Sequence, residues 1–245
     1  MHGKIVWKAA GIAAALAVGG ALASPVAALG PEHRTADRGV SFRVDSGSDT
    51  VDRRIGDGRC ADARGRCTLR AAVQEANATS KSVTITLHRS IDLRVANTAG
   101  DEEAAATGDL DVTGDVTIKG SRAARIDARG IDRAFEVMPG GSLDLTAVKI
   151  TGGVVTGGAD AVVGSGGGIA NHGELSLAYV TIEGNRAVGP MASGGGVLNT
   201  GSLTATHSTF SRNEATRAGG AIEASGGTTK VRYSSMRDNV TGPTP

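Results

Sequence analysis

GGGIANHGELSLAYVTIEGN (166–185), GGGVLNTGSLTATHSTFSRN (194–213) and GGAIEASGGTTKVRYSSMRDN (219–239) are three versions of one line. Each opens on glycines and a branched apolar residue: Ile169, Val197 or Ile222. Each closes on Ile182, Phe210 or Met236, and three residues later comes Asn185, Asn213 or Asn239. The lines start 25–28 residues apart, a period typical of stacked repeats rather than of a conventional core. Inside them apolar and polar residues alternate, as in Leu175-Ser-Leu177, Val180-Thr-Ile182, Leu203-Thr-Ala205 and Ser208-Thr-Phe210. Alternation with period two signals strands. Helical repeats need apolar residues every three to four positions and tolerate few glycines.

The pattern predicts an all-β chain, a right-handed parallel β-helix with three short strands per coil. Each strand then pairs with its copies one rung above and below, about 4.8 Å away. Ile182, Phe210 and Met236 are expected as a stack in the lumen. Glycines suit the corners because they accept positive φ. Asn185, Asn213 and Asn239 share one corner, where asparagine tolerates the left-handed conformation. Their amides are expected to bond along the axis as a ladder, a structural role with no chemistry.

Composition agrees. Aromatic residues make up 2% of the 245, and a narrow lumen is filled by Val, Ile, Leu, Ala and Thr instead. Glycine is 37 of 245, about twice the usual share, without the Gly-X-Y register of collagen. Net charge is +1 with no basic block, which argues against nucleic acid and anionic membrane as partners.

In chain order, residues 1–28 read as a signal peptide. Lys4 and Lys8 precede an apolar run from Ala9 to Ala23, and Val26-Ala-Ala28 offers a cleavage site. The competing reading is a retained anchor, for which the run is short; the mature chain is expected to hold no transmembrane span. Residues 29–58 form an irregular segment with an opening strand near Ser41–Val44. Residues 59–80 hold a disulfide loop and a capping helix. Cys60 and Cys67 are the only cysteines. In an exported chain one disulfide is their simplest use, and a metal site would need further ligands. Thr68 is placed to cap a helix over Leu69–Ala76, which would cover the open end of the solenoid. Residues 81–245 form the β-helix, roughly six rungs, with a loop near Asn97–Thr107. After Asn239 no capping element follows, so the chain reads as a fragment or as a rod with an exposed last rung.

DGRCADARGRCTLRAAVQEAN (57–77), GDLDVTGDVTIKG (108–120) and IDRAFEVMPGGSLDLTAVKITGG (131–153) together resemble the CSLREA-domain proteins. These are exported bacterial proteins with a Cys-Ser-Leu-Arg-Glu-Ala motif followed by a pectate-lyase-like right-handed β-helix. The repeats are also similar to those of polymorphic outer-membrane proteins and autotransporter passengers. The resemblance covers about Gly56 to Asn239. Thr68 stands for the motif's Ser and keeps a capping hydroxyl; Ala71 stands for its Glu and loses a carboxylate. It implies an exported, surface-associated protein.

The fold also hosts polysaccharide lyases and hydrolases, an argument by analogy alone. Such chemistry needs converging carboxylates, or calcium ligands with a base. The candidates are Asp109, Asp111 and Asp115, with Asp127 and Asp144 on neighbouring rungs. Asp109 and Asp111 share a face on a strand, most simply a solvated one. Gly157-Gly-Ala-Asp160 is turn chemistry. Gly166–Gly168 and Gly194–Gly196 lack the lysine of a phosphate loop. His172 and His207 differ in phase and read as solvated, and Ser208 and Ser234 read as small rung residues rather than nucleophiles. Asn77 and Asn239 match the glycosylation pattern. The leading expectation is a non-catalytic exported rod, without cofactor or metal, that binds extracellular carbohydrate or a surface protein. The alternative is a carbohydrate-active enzyme using the Asp109–Asp115 region, with calcium as its cofactor.

Overall fold

The computed structural model describes residues 39–96, 104–121, 124–157 and 164–242. The expected signal segment 1–28, part of the loop after Asn97 and Asp160 lie outside the described residues.

All strand pairings are parallel and in register, and they build a β-solenoid of about four turns with one short helix. Four sheets line it, of seven, six, five and four strands. Each full coil visits the five-, seven-, six- and four-stranded sheets in turn. The expected three strands per coil are therefore four. The extra strand is short: Val154–Thr156, Arg186–Val188, Glu214–Ala215 and Val240–Thr241. Against the roughly six rungs expected, four full coils follow shorter upstream ones that lack this strand.

Like residues stack because the coils are in register. Leu143, Leu175 and Leu203 form one lumen column of the seven-stranded sheet. In the six-stranded sheet Ile91, Ile126, Ile150, Ile182, Phe210 and Met236 are successive partners. All are fully buried except Met236, which is 50% exposed, because no described residue packs on the last coil. Tyr233 and Val240 on that coil are exposed as well.

The glycine runs do more than turn corners. Gly166, Gly194 and Gly219 hold positive φ of 74°, 66° and 62°. Their neighbours Gly167, Gly195 and Gly220 lie against the backbone of Arg186, Glu214 and Val240, where a Cβ would collide with main-chain atoms. Backbone thus packs on backbone between this connector and the four-stranded sheet. A second small core, Val155, Ala187, Ala192 and Ala215, sits apart from the main one.

Asn185, Asn213 and Asn239 are linked amide to amide. Asn185 Nδ2 donates to Asn213 Oδ1 and Asn213 Nδ2 to Asn239 Oδ1, both at 3.0 Å. The backbone N–H groups of Asn185 and Asn213 donate to the same oxygens at 3.1 Å. A second pair was not anticipated: buried Asn171 donates to Asn199 Oδ1 at 2.6 Å.

The first end is closed. The strand Val40–Arg43 pairs with Val83–Leu87. The helix runs Leu69–Asn77, with the Thr68 hydroxyl accepting from Ala71 N. It packs on the first strand of the five-stranded sheet, Leu110–Val112. Asn77 donates to the Asp111 carbonyl at 2.8 Å and accepts from Thr113 N at 3.0 Å. Burial is not confined to one face, because residues 45–68 cover the outer side. Gln74 accepts from Asp52 N, and Glu75 accepts from Gly56 N and Gly58 N. Cys60 and Cys67 form a disulfide. Among the described residues, no helix is long and apolar enough to cross a membrane.

Candidate functional site

Three successive coils bring charged side chains to one spot on the outer side of the five-stranded sheet. The first supplies Asp109 and, on the strand Leu110–Val112, Asp111. The second supplies Asp132 and Arg133 and, on the strand Phe135–Val137, Glu136. Asp111 and Glu136 are register partners, one rung apart. The third supplies His172, just past the strand Ile169–Asn171.

Oxygen atoms of Asp109, Asp111 and Glu136 lie within 4.8 Å of one another. Arg133 sits among them. Its Nε is 3.6 Å from Asp109 Oδ2, and its Nη1 contacts Glu136 Oε2. His172 Nε2 lies 3.2 Å from Glu136 Oε1, and its Nδ1 is 2.7 Å from Thr200 Oγ1. Asp111 Oδ2 accepts from Ala105 N at 3.0 Å, so residues near 105 roof the cluster. Asp109, Asp111 and Glu136 are 4%, 2% and 8% exposed.

This environment separates the protonation of the carboxyls. Burial raises Asp109 well above the ordinary range; Arg133 opposes this, while Asp132, Asp111 and Glu136 add to it. Burial pushes Glu136 the same way, but its bond to His172 and the Arg133 charge outweigh that, and it stays below its usual value. A carboxyl pushed toward its protonated form thus stands beside one held toward its ionised form and an imidazole, a combination suited to proton transfer. The three carboxylates offer oxygen donors of the kind calcium takes. The guanidinium already supplies the positive charge there, so the set does not fit a resident metal.

The sequence candidates divide. Asp109 and Asp111 come together, buried rather than on the expected solvated face, because residues 104–109 fold over them. Asp115 stands on the seven-stranded sheet, bonded by the Ser82 hydroxyl. Asp127 is on the six-stranded sheet beside Arg125, and Asp144 is exposed on the seven-stranded sheet. Arg133, Glu136 and His172 were missed as partners. His172 is bonded on both nitrogens rather than solvated. Superposing DLDV (109–112) on AFEV (134–137) puts Asp111 and Glu136 at one position, the available sequence signal. His207 is stacked between Tyr179 and Tyr233, with centroids 5.0 and 5.2 Å apart. Ser208 and Ser234 hydroxyls accept from the backbone N–H of Val180 and Ser208. The amides of Asn77 and Asn239 are committed to internal bonds.

A scan against family models finds no match, and searches of curated proteins and of solved structures find none either.

Proposed function

We propose that this chain is an exported β-solenoid of the CSLREA kind, acting at the cell surface or free outside it, that binds extracellular carbohydrate without turning it over. The observation behind this reading is the outer side of the seven-stranded sheet. Thr84, Thr117, Asp144, Ser176, Thr204 and Lys230 follow one another in strict register. Thr86, Lys119, Thr146, Ala178, Thr206 and Arg232 form a parallel column. Hydroxyls and charges thus repeat at the strand spacing of about 4.8 Å, a face suited to an extended polar polymer. The converging carboxylates, by contrast, are roofed.

The test is a panel of polysaccharides incubated with the mature protein, with and without calcium. Retention of a polymer with no release of reducing or unsaturated ends is expected. Release of such ends overturns the non-catalytic reading.

The opposed protonation of Asp109 and Glu136 beside His172 favours a second reading, a carbohydrate-active enzyme. On that reading Glu136→Gln abolishes end release while the protein stays folded. Unchanged release by this variant removes the cluster from consideration.

A further inference from the structure

Away from the carboxylate cluster, the N-terminal end carries three adjoining clefts that form one groove. The largest, of about 660 Å³, is lined by Arg66, Arg89 and Arg94 around the loop 45–50. On one side it shares Ser48 and Arg66 with a cleft that Arg64 also lines. On the other it shares Asp45 and Arg89 with a cleft lined by Arg43 and His88. Five arginines and a histidine therefore follow one groove on a chain whose net charge is only +1.

The acids beside them are largely committed. Asp49 is fully enclosed, paired with Arg70 at 2.7 Å and accepting from Arg94 N and Val95 N. Asp62 accepts from Thr50 Oγ1 and Arg66 Nη2, both at 2.9 Å, and from Arg66 Nε at 3.2 Å, so Arg66 faces the groove with its Nη1 donors. Asp45 accepts from Cys67 N at 3.0 Å. Arg94 has an exposed pairing with Asp92, of the kind that contributes little. Arg43, Arg64 and Arg89 have no acidic side-chain partner among the described residues. Guanidinium groups are weakly hydrated and present forked donors, which suits them to oxyanions. Three of them line the central cleft, Arg66 from the segment before the helix and Arg89 and Arg94 from the two ends of the strand Ile91–Asp92. One fork satisfies a planar carboxylate; several forks from different directions suit a tetrahedral anion with three free oxygens.

We propose that this groove binds a sulfated polysaccharide, with a sulfate ester seated among Arg66, Arg89 and Arg94 and the polymer running toward Arg43. The sulfate site stands on the groove itself; the choice of a polysaccharide as its carrier rests on the carbohydrate-binding reading above.

The experiment measures binding of a fluorescent heparin oligosaccharide, its desulfated form, inorganic sulfate and duplex DNA to the mature protein. The wild type is compared with Arg89→Ser/Arg94→Ser and with a control, Arg217→Ser/Arg237→Ser, at exposed positions outside both the groove and the seven-stranded sheet. The sulfated oligosaccharide is expected to bind, to weaken with added salt, and to lose about tenfold in affinity in the groove variant alone. Circular dichroism checks that both variants keep their strands. Equal binding of the desulfated form overturns the sulfate site and leaves the carbohydrate reading standing, as does loss confined to the control variant. Binding of inorganic sulfate, weakened in the groove variant, with no oligosaccharide bound overturns the carbohydrate carrier and leaves the anion site. Binding of DNA as tight as that of the sulfated oligosaccharide overturns the assignment to a glycan, and no binding of any probe overturns the proposal entirely.

Discussion

Residues 39–137 and residues 164–242 are joined to themselves by different means. In the first stretch buried charges make the connections. Arg70, fully buried, pairs with Asp49 and donates to the carbonyls of Ala105, Thr107, Gly108 and Asp109. Glu136 takes Arg133 from its own coil and His172 from the next. In the second stretch neutral amides do the same work: Asn171, Asn185 and Asn213 each bond to the Asn of the next coil. The difference follows from coil geometry. Where successive coils match, identical short side chains meet at every rung. Where a helix, a loop and unequal coils meet, a long side chain with five donors reaches several acceptors at once.

The comparison can be broken most sharply at Arg70. Arg70→Met strands the enclosed Asp49 carboxylate, and removing one partner of a buried pair costs about 3–5 kcal/mol. Denaturant unfolding should show that loss. A cost below about 1 kcal/mol, the range of an exposed pair, contradicts the view that buried charge holds the capped end.

A smaller effect is expected at the ladder. Asn213→Ala removes the acceptor of both Asn185 N–H groups in a buried site, costing about 2 kcal/mol. Asn239→Ala, in the last coil and half-buried, leaves its partners within reach of water and costs about 1 kcal/mol or less. Equal midpoint shifts for the two variants would show that the ladder does not depend on burial.

The third effect, at Asp109, depends on pH. Its carboxyl is raised in the folded state, so the native chain holds a proton that the unfolded chain has released. Stability therefore falls as pH rises from about 3.8, the unfolded value, toward the folded one. Asp109→Asn carries no such proton. Its stability relative to wild type should improve as pH rises from about 4 toward the folded-state value. A constant difference across that range contradicts burial of an ionisable Asp109.

The regular coils were legible because like residues recur at equal spacing: Ile182, Phe210 and Met236 are one column on the page and one column in register. The fourth sheet was not. Its strands have two or three residues, too few for period two to show, and the glycines beside them read as corners. The helix was visible from Thr68 and its apolar spacing. Its polar side was not, since Arg70, Gln74 and Glu75 look solvated until residues 45–68 cover them. The charged cluster was half visible. Asp109 and Asp111 stand out as neighbours, but Arg133, Glu136 and His172 come from coils of unequal length, and no fixed period aligns them.

The connectors from the four-stranded sheet back to the five-stranded sheet are residues 157–168, 189–196 and 216–221, twelve, eight and six long. The other connections within these coils hold two to four residues. Changes in coil length are thus absorbed at one edge, beside the glycine contact that fastens the small lobe shut. A peptide grafted between Pro190 and Met191, short of buried Ala192, would be displayed from that edge without disturbing the stacking of any other column, whereas the same insertion at a two-residue bend would shift every pairing after it.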